Sequence, residues 1–266
     1  MTFSRTAAIF LRQFYLVRGS VARFMPLFVW VTVDMALWGF MSRYLNQISA
    51  SHYNFVPALL GAVLLWDFFI RVMQGVTMAF FEDVWSRNFL NIFATPLSIS
   101  EYIAGLVLSS MATSSVGLTV MLVLSTTVFG LSYFVYGFLL LPFILVLFLF
   151  GITLGIVGSS LVLRYGPAAE WFVWPIPALV SPFVGVFYPI ATLPAWMRWI
   201  SRALPPSYVF ESIRTILAGG KAPLRLLALA TGLATLDVLL AWLAFTWTYR
   251  YAVRTGLIAR YSAESV

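Results

Sequence analysis

The chain has 266 residues, of which 62% are hydrophobic and only 9% charged, and its net charge of +7 is carried almost wholly by arginine. A soluble domain carries roughly 25% charged residues, so this little charge cannot cover a water-soluble globule, and most of the surface must face lipid. With no cysteine and a single histidine, His52, the composition excludes disulfides and thiolate chemistry and leaves little room for a metal site.

About 20 apolar residues in a helix cross a bilayer core of roughly 30 Å. The chain has room for about six such crossings. Its apolar runs are continuous, as from Leu139 to Gly158, whereas the strands of a membrane barrel would alternate apolar with polar residues. The expected fold is therefore all-α and polytopic. The arginine excess is read as headgroup anchoring and topology information rather than as a nucleic-acid surface.

Residues 3–20 predict an amphipathic helix. Arg5, Arg12 and Arg23 recur at intervals of seven and eleven residues on one face, and Phe3, Phe10, Phe14 and Val17 populate another. That pattern suits a helix lying in the membrane interface, the alternative being a basic tail. Arg5, Arg12 and Arg18 also interrupt any apolar core that a cleavable signal peptide would need.

The first span is expected over 24–41, entered through Pro26, and a polar loop with Arg43, Asn46, Gln47 and His52 follows. The second covers 55–81, and a polar segment of helical rhythm, 82–100, precedes the third at 102–129. The fourth covers 137–163 and ends at Arg164–Tyr165–Gly166–Pro167. Between Ala168 and Ala222 stand Pro175, Pro177, Pro182, Pro189, Pro194, Pro205 and Pro206. So many prolines break a straight helix, yet a kinked crossing at 168–190 remains possible if neighbours satisfy the freed backbone. Residues 193–218, with Arg198, Arg202, Glu211 and Arg214, read as short re-entrant or interfacial helices. The last span covers 224–249.

Six spans put both termini on one side. That side collects nine basic residues, from Arg5 to Arg260, against six on the other, from Arg43 to Arg225, which favours cytoplasmic termini.

Four ionisable residues fall inside spans: Asp34, Asp67, Arg71 and Asp237. Such residues are costly in lipid and are functional candidates by default. Asp67 and Arg71 stand four apart and meet on one helix face, which also suits a self-compensated structural pair. Asp34 and Asp237 have no local partner. Gly151, Gly155 and Ser159 repeat every fourth residue, a spacing for close helix approach within one subunit or across a dimer. Gly219–Gly220–Lys221–Ala222 lacks the rest of a phosphate loop. No catalytic or metal-ligand pattern is present.

Two segments resemble the type-2 ABC transporter permease family. The first runs from Phe81 to Glu101 and holds Glu82, Arg87, Thr95, Pro96, Ser98 and Glu101 in the family's order; Asn88-Phe-Leu-Asn91 stands where the family often has Gly-Thr-Leu-Glu. The second runs from Ser181 to Arg214 and holds Gly185, Phe187, Pro189, Leu193, Pro194, Trp196, Pro206, Glu211 and Arg214. The resemblance implies a single permease domain over 1–266, with an interfacial helix at 3–20 and a re-entrant element at 190–218. It also implies a coupling helix at 82–100 that docks on a separate ATPase through Glu82, Asp83, Arg87, Phe89, Leu90, Phe93, Thr95, Pro96 and Glu101. It implies a homodimer joined to two ATPase copies, which would hold the ATP and Mg, in a bacterial inner membrane. The cargo would be a glycan, a lipid-linked or a lipophilic molecule. The competing readings are a secondary transporter, which should show broken helices in both halves, and a membrane-embedded lipid-modifying enzyme, which should show a polar catalytic cluster.

Overall fold

The computed structural model describes residues 2–48, 56–221 and 223–257, and the described residues are helical with no strand. His52 with the second half of the first polar loop, and Arg260 in the tail, lie outside them. In chain order the helices are α1 (Phe3–Arg18), α2 (Val21–Phe24), α3 (Pro26–Ile48), α4 (Gly61–Trp85) after a π-helical turn at Val56–Leu60, α5 (Phe89–Phe93) and α6 (Ile99–Thr127). Then come α7 (Leu140–Tyr165), α8 (Glu170–Val173), α9 (Ile176–Val184), α10 (Ala195–Ala203), α11 (Pro205–Leu217) and α12 (Leu224–Arg254).

Among the described residues, five segments are long and apolar enough to cross a membrane: Val21–Ile48, Val56–Trp85, Ile99–Thr127, Gly137–Tyr165 and Leu224–Arg254. The sequence predicts six crossings, and the difference falls on the proline-rich stretch. There the chain makes two short helices, α8 and α9, with Pro175 at their junction and Pro182 inside the second. Each proline removes an N–H and crowds the preceding turn, so one long helix cannot form.

The Val56–Trp85 segment is the most buried of the five. α4 packs on α6 on one side and α7 on the other; α3 adds to α6, and α12 adds to α7. Lipid supplies no hydrophobic drive between helices, so close packing has to hold them. The α4–α7 contact achieves this with small residues. A Cβ on Gly151 would stand 2.8 Å from Val72 and 3.0 Å from the carbonyl of Phe69. One on Gly155 would stand 2.7 Å from Val76 and 3.0 Å from the carbonyl of Met73. The four-residue glycine spacing is therefore a seam within the subunit.

Several hydroxyls inside these helices are satisfied locally. Thr113, Thr153 and Ser159 donate to carbonyls one turn back at 3.1, 3.0 and 2.9 Å. Ser110 instead bonds across helices, to the carbonyl of Val72 at 2.7 Å, a contact worth about 0.6 kcal/mol in a membrane.

Candidate functional site

The segment between α4 and α6 is built from both ends. α4 closes on Ser86, after which Arg87 takes a left-handed conformation (φ 55°). Its N–H reaches the carbonyl of Val84 at 3.1 Å, and that of Asn88 reaches Asp83 at 3.1 Å. This is the paired hydrogen-bond pattern that satisfies the last carbonyls of a helix. Arginine holds a position better suited to glycine, at a cost of roughly 1–2 kcal/mol. At the far end Ser98 and Glu101 form a reciprocal capping box that starts α6; each satisfies a backbone donor otherwise unpaired.

Between these caps α5 shows two faces. Phe89 and Ile92 are buried. Phe89 meets Phe80 and Tyr102 edge-on, and Phe93 lies 5.1 Å from Tyr249 of α12. The other face carries Trp85, Ser86, Arg87, Asn91, Ala94, Thr95 and Pro96, all exposed. Leu90 belongs to the same helix.

The two deepest acids of this region face inward. Asp83 is fully buried; it takes an ion pair from Arg12 and the hydroxyl of Tyr102 at 2.8 Å. Burial alone would lower the Arg12 pKa, but the hydrogen bond and charge of Asp83 outweigh it and hold the guanidinium charged. Glu101 is 3% exposed. Its Oε1 accepts from the Thr2 N–H at 2.6 Å and the Thr2 hydroxyl at 2.9 Å, and Arg5 stands 3.8 Å away. Glu82 pairs with Arg23 at 2.9 Å. These carboxylates hold the N-terminal helices against the body. α1 buries Thr6, Ile9 and Gln13, with Ile9 seated where a Cβ on Gly105 would come within 2.6 Å. Phe3 and Phe14, expected on the apolar face, are exposed.

At the opposite end the second group of signature residues also comes together. α9 stops at Gly185 in a left-handed conformation (φ 68°). Arg214 of α11 donates to the carbonyl of Gly185 and pairs with Glu211 at 3.1 Å. Glu211 in turn accepts the N–H of Ile190 at 2.7 Å. One arginine and one glutamate thus tie the turn after α9 to α11, and Ser201 of α10 adds a bond to the carbonyl of Phe183 at 2.6 Å. Phe187 stacks on Trp38 of α3 at 5.4 Å. Pro189, Pro194 and Pro206 mark helix starts, preceding the 3₁₀ turn Ile190–Thr192, preceding α10 and opening α11. Trp196 is exposed, and Arg202 lies over the ring of Trp199 at 4.5 Å.

The four intramembrane charges separate into two cases. Arg71 pairs with Asp67 at 2.9 Å, as the spacing predicts. Asp34 lines the same cavity as both, between α3, α4 and α6. Asp237 lies away from it, partly buried on α12.

The sequence reading missed Arg12–Asp83, Thr2–Glu101 and the Glu211–Ile190 bond. The capping box was the one available local signal, since Ser98-Ile-Ser-Glu101 has its spacing. A family model described as ABC-2 type transporter matches residues 6–218, from within α1 through α11. Among curated proteins none matches the chain.

Proposed function

The chain belongs to the ABC-2 type transporter family, a multi-pass transport subunit that is not itself catalytic and works with a separate ABC ATPase, and from that premise we propose that it is the permease of an exporter coupled through residues 85–96. Two copies form the substrate path and two ATPase chains dock beneath them. The α1 end faces the cytoplasm and α10–α11 form the re-entrant element on the outer side. The paired short helices α8 and α9 make the sixth crossing, and α1 lies in the inner interface. The whole chain is one permease domain in a bacterial inner membrane, and its cargo is a glycan, a lipid-linked or a lipophilic molecule.

The observation that carries this reading is the division of labour in the 82–101 segment. Its buried half (Asp83, Phe89, Ile92, Glu101), with half-buried Phe93, ties it to α1, α4, α6 and α12. Its exposed half, from Trp85 to Pro96, offers a short polar knob at the joint of two long helices. A rigid knob moves with the helices that carry it, which is what transmission of an ATPase movement requires. The coupling contacts therefore fall to Arg87, Asn91, Thr95 and Pro96, with Trp85 as the aromatic anchor. Phe89 and Phe93 hold the knob in place. Glu82, Asp83 and Glu101 position it through the N-terminal helices.

The test is co-expression with the partner ATPase followed by disulfide crosslinking. The native chain has no cysteine, so Asn91→Cys supplies a single permease thiol, which a mild oxidant joins to a single cysteine introduced on the ATPase surface. A permease–ATPase crosslink from Asn91→Cys, and none from a cysteine at exposed Trp196, is expected. Crosslinking from Trp196→Cys instead would invert the orientation.

A further inference from the structure

α1 and α2 carry four arginines and no acidic residue. Three of the four are matched by carboxylates of the body. Arg5 stands 3.8 Å from Glu101, Arg12 pairs with Asp83, and Arg23 pairs with Glu82 at 2.9 Å. The fourth, Arg18 at the end of α1, is exposed, and no acid lies within ion-pair distance of it among the described residues. The positive charge of these two helices is thus balanced at every arginine but this one.

Arg18 is the charged member of a groove. The groove measures 380 Å³ and is walled by Phe10, Phe14 and Val17 of α1, Phe24 of α2, and Ala112 and Val116 of α6. That volume lies within the range of ligand sites. The fold leaves it open for a local reason. Ile9 seats on Gly105 of α6, and Gln13 donates to the carbonyl of Ala79 at 3.4 Å, which fixes one stripe of α1 on the body. The neighbouring stripe faces the small side chains Ser109 and Ala112, which do not fill the space. Phe14, Phe24 and Val116 remain exposed along it.

The chemistry of the groove selects its occupant. Its walls suit an alkyl chain, and an unmatched guanidinium beside them suits a phosphate, to which arginine offers several N–H donors at once. No lining residue is acidic, so a zwitterionic head would find a partner for its phosphate and none for its ammonium.

We propose that this groove is a site for an anionic phospholipid, with its phosphate on Arg18 and one acyl chain against Phe10, Phe14 and Val116. The site rests on the interfacial position proposed for α1 and is independent of how the ATPase docks. α1 is tied to Asp83 and Glu101 through Arg12 and Arg5, so the bound lipid braces the helix that positions the 85–96 knob.

The test uses the full chain in phosphatidylcholine nanodiscs. Each preparation contains a trace of phosphatidylglycerol or of phosphatidylcholine with a diazirine at the end of one acyl chain. After photolysis, labelling is read on peptides covering 10–17 and 112–116. The exposed α12 face with Leu236, Leu240 and Leu243 serves as the reference for bulk lipid. The glycerol lipid should label the groove above that reference, and the choline lipid should not. Arg18→Gln should lower the preference about fivefold, the factor for the roughly 1 kcal/mol that one arginine gains at an anionic lipid surface, and Arg18→Lys should keep it. Ala112→Trp, which fills the groove, should abolish the preference and leave the α12 reference unchanged. Should Arg18→Gln fail to fold, the two lipids compared on the native chain still decide. Equal labelling of the groove by both lipids, or a preference that survives Arg18→Gln, would overturn the site and leave the interfacial helix standing. Labelling of α1 by neither lipid would overturn the interfacial position itself. A disulfide between two copies of Val116→Cys would overturn the lipid and give the groove to a second copy of the chain.

Discussion

Arg12 of α1 pairs with Asp83 at the end of α4, across 71 positions of chain. The pair joins the N-terminal helix to the start of the segment that leads into α5, and Tyr102 of α6 completes it by donating to the other carboxylate oxygen. Three elements therefore meet on one buried acid, and the Asp83 side chain has no exposure to water.

Removing one partner of such a pair leaves a buried charge uncompensated. Arg12→Ala and Asp83→Ala should each destabilise the chain by about 3 kcal/mol, read as lowered melting temperature in nanodiscs. The double substitution should cost much less than the sum, because it removes both charges. Additive losses would mean that the two residues act independently.

The seam between α4 and α7 makes a sharper demand. Gly151→Ala and Gly155→Ala each add a methyl against a carbonyl 3.0 Å away. Overpacking of this kind costs about 1–3 kcal/mol, and the contact lies within one subunit. Both variants should lower thermal stability while leaving the oligomeric state, measured by light scattering, unchanged. A shift from dimer to monomer at unchanged stability would move the seam to the subunit interface.

Gly185 and Arg214 form the corresponding joint at the other end. Gly185→Ala must force a side chain into a left-handed conformation, costing roughly 1–2 kcal/mol, and it would also meet the Arg214 guanidinium at 2.9 Å. Arg214→Ala removes the group that holds the Gly185 carbonyl. Both should raise hydrogen exchange across 185–204 while leaving α4 and α7 protected. Uniform loss of protection would indicate global unfolding instead.

Much of this architecture is legible in the sequence, and the boundary has a physical reason. The long apolar runs that make α3, α4, α6, α7 and α12 are local properties of composition. The Asp67–Arg71 pair and the Gly151–Gly155 spacing are local as well, fixed by the helical repeat. The proline cluster marks a broken stretch but not how it breaks: a kinked crossing over 168–190 is predicted, and two short helices, α8 and α9, stand there. Long-range partners left no local trace. Nothing near Asp83 announces Arg12, and nothing near Glu101 announces Thr2. The inward turn of Phe89 is likewise set by Phe80 and Tyr102, which stand in two other helices. A short helix with apolar and polar residues reads the same from sequence whichever face it buries.

The coupling role of residues 85–96 is the central claim, and its two faces allow one decisive measurement. Asn91→Arg and Ala94→Arg alter only the exposed face, whereas Phe89→Ala opens the buried aromatic cluster at a cost of about 3–5 kcal/mol. Complexes with the partner ATPase are prepared from each variant, and ATP turnover per folded complex is measured beside the melting temperature of the permease. The account predicts that Asn91→Arg and Ala94→Arg keep the native melting temperature and lose ATPase docking or turnover, while Phe89→Ala melts early. Normal docking and turnover in both exposed-face variants would contradict it.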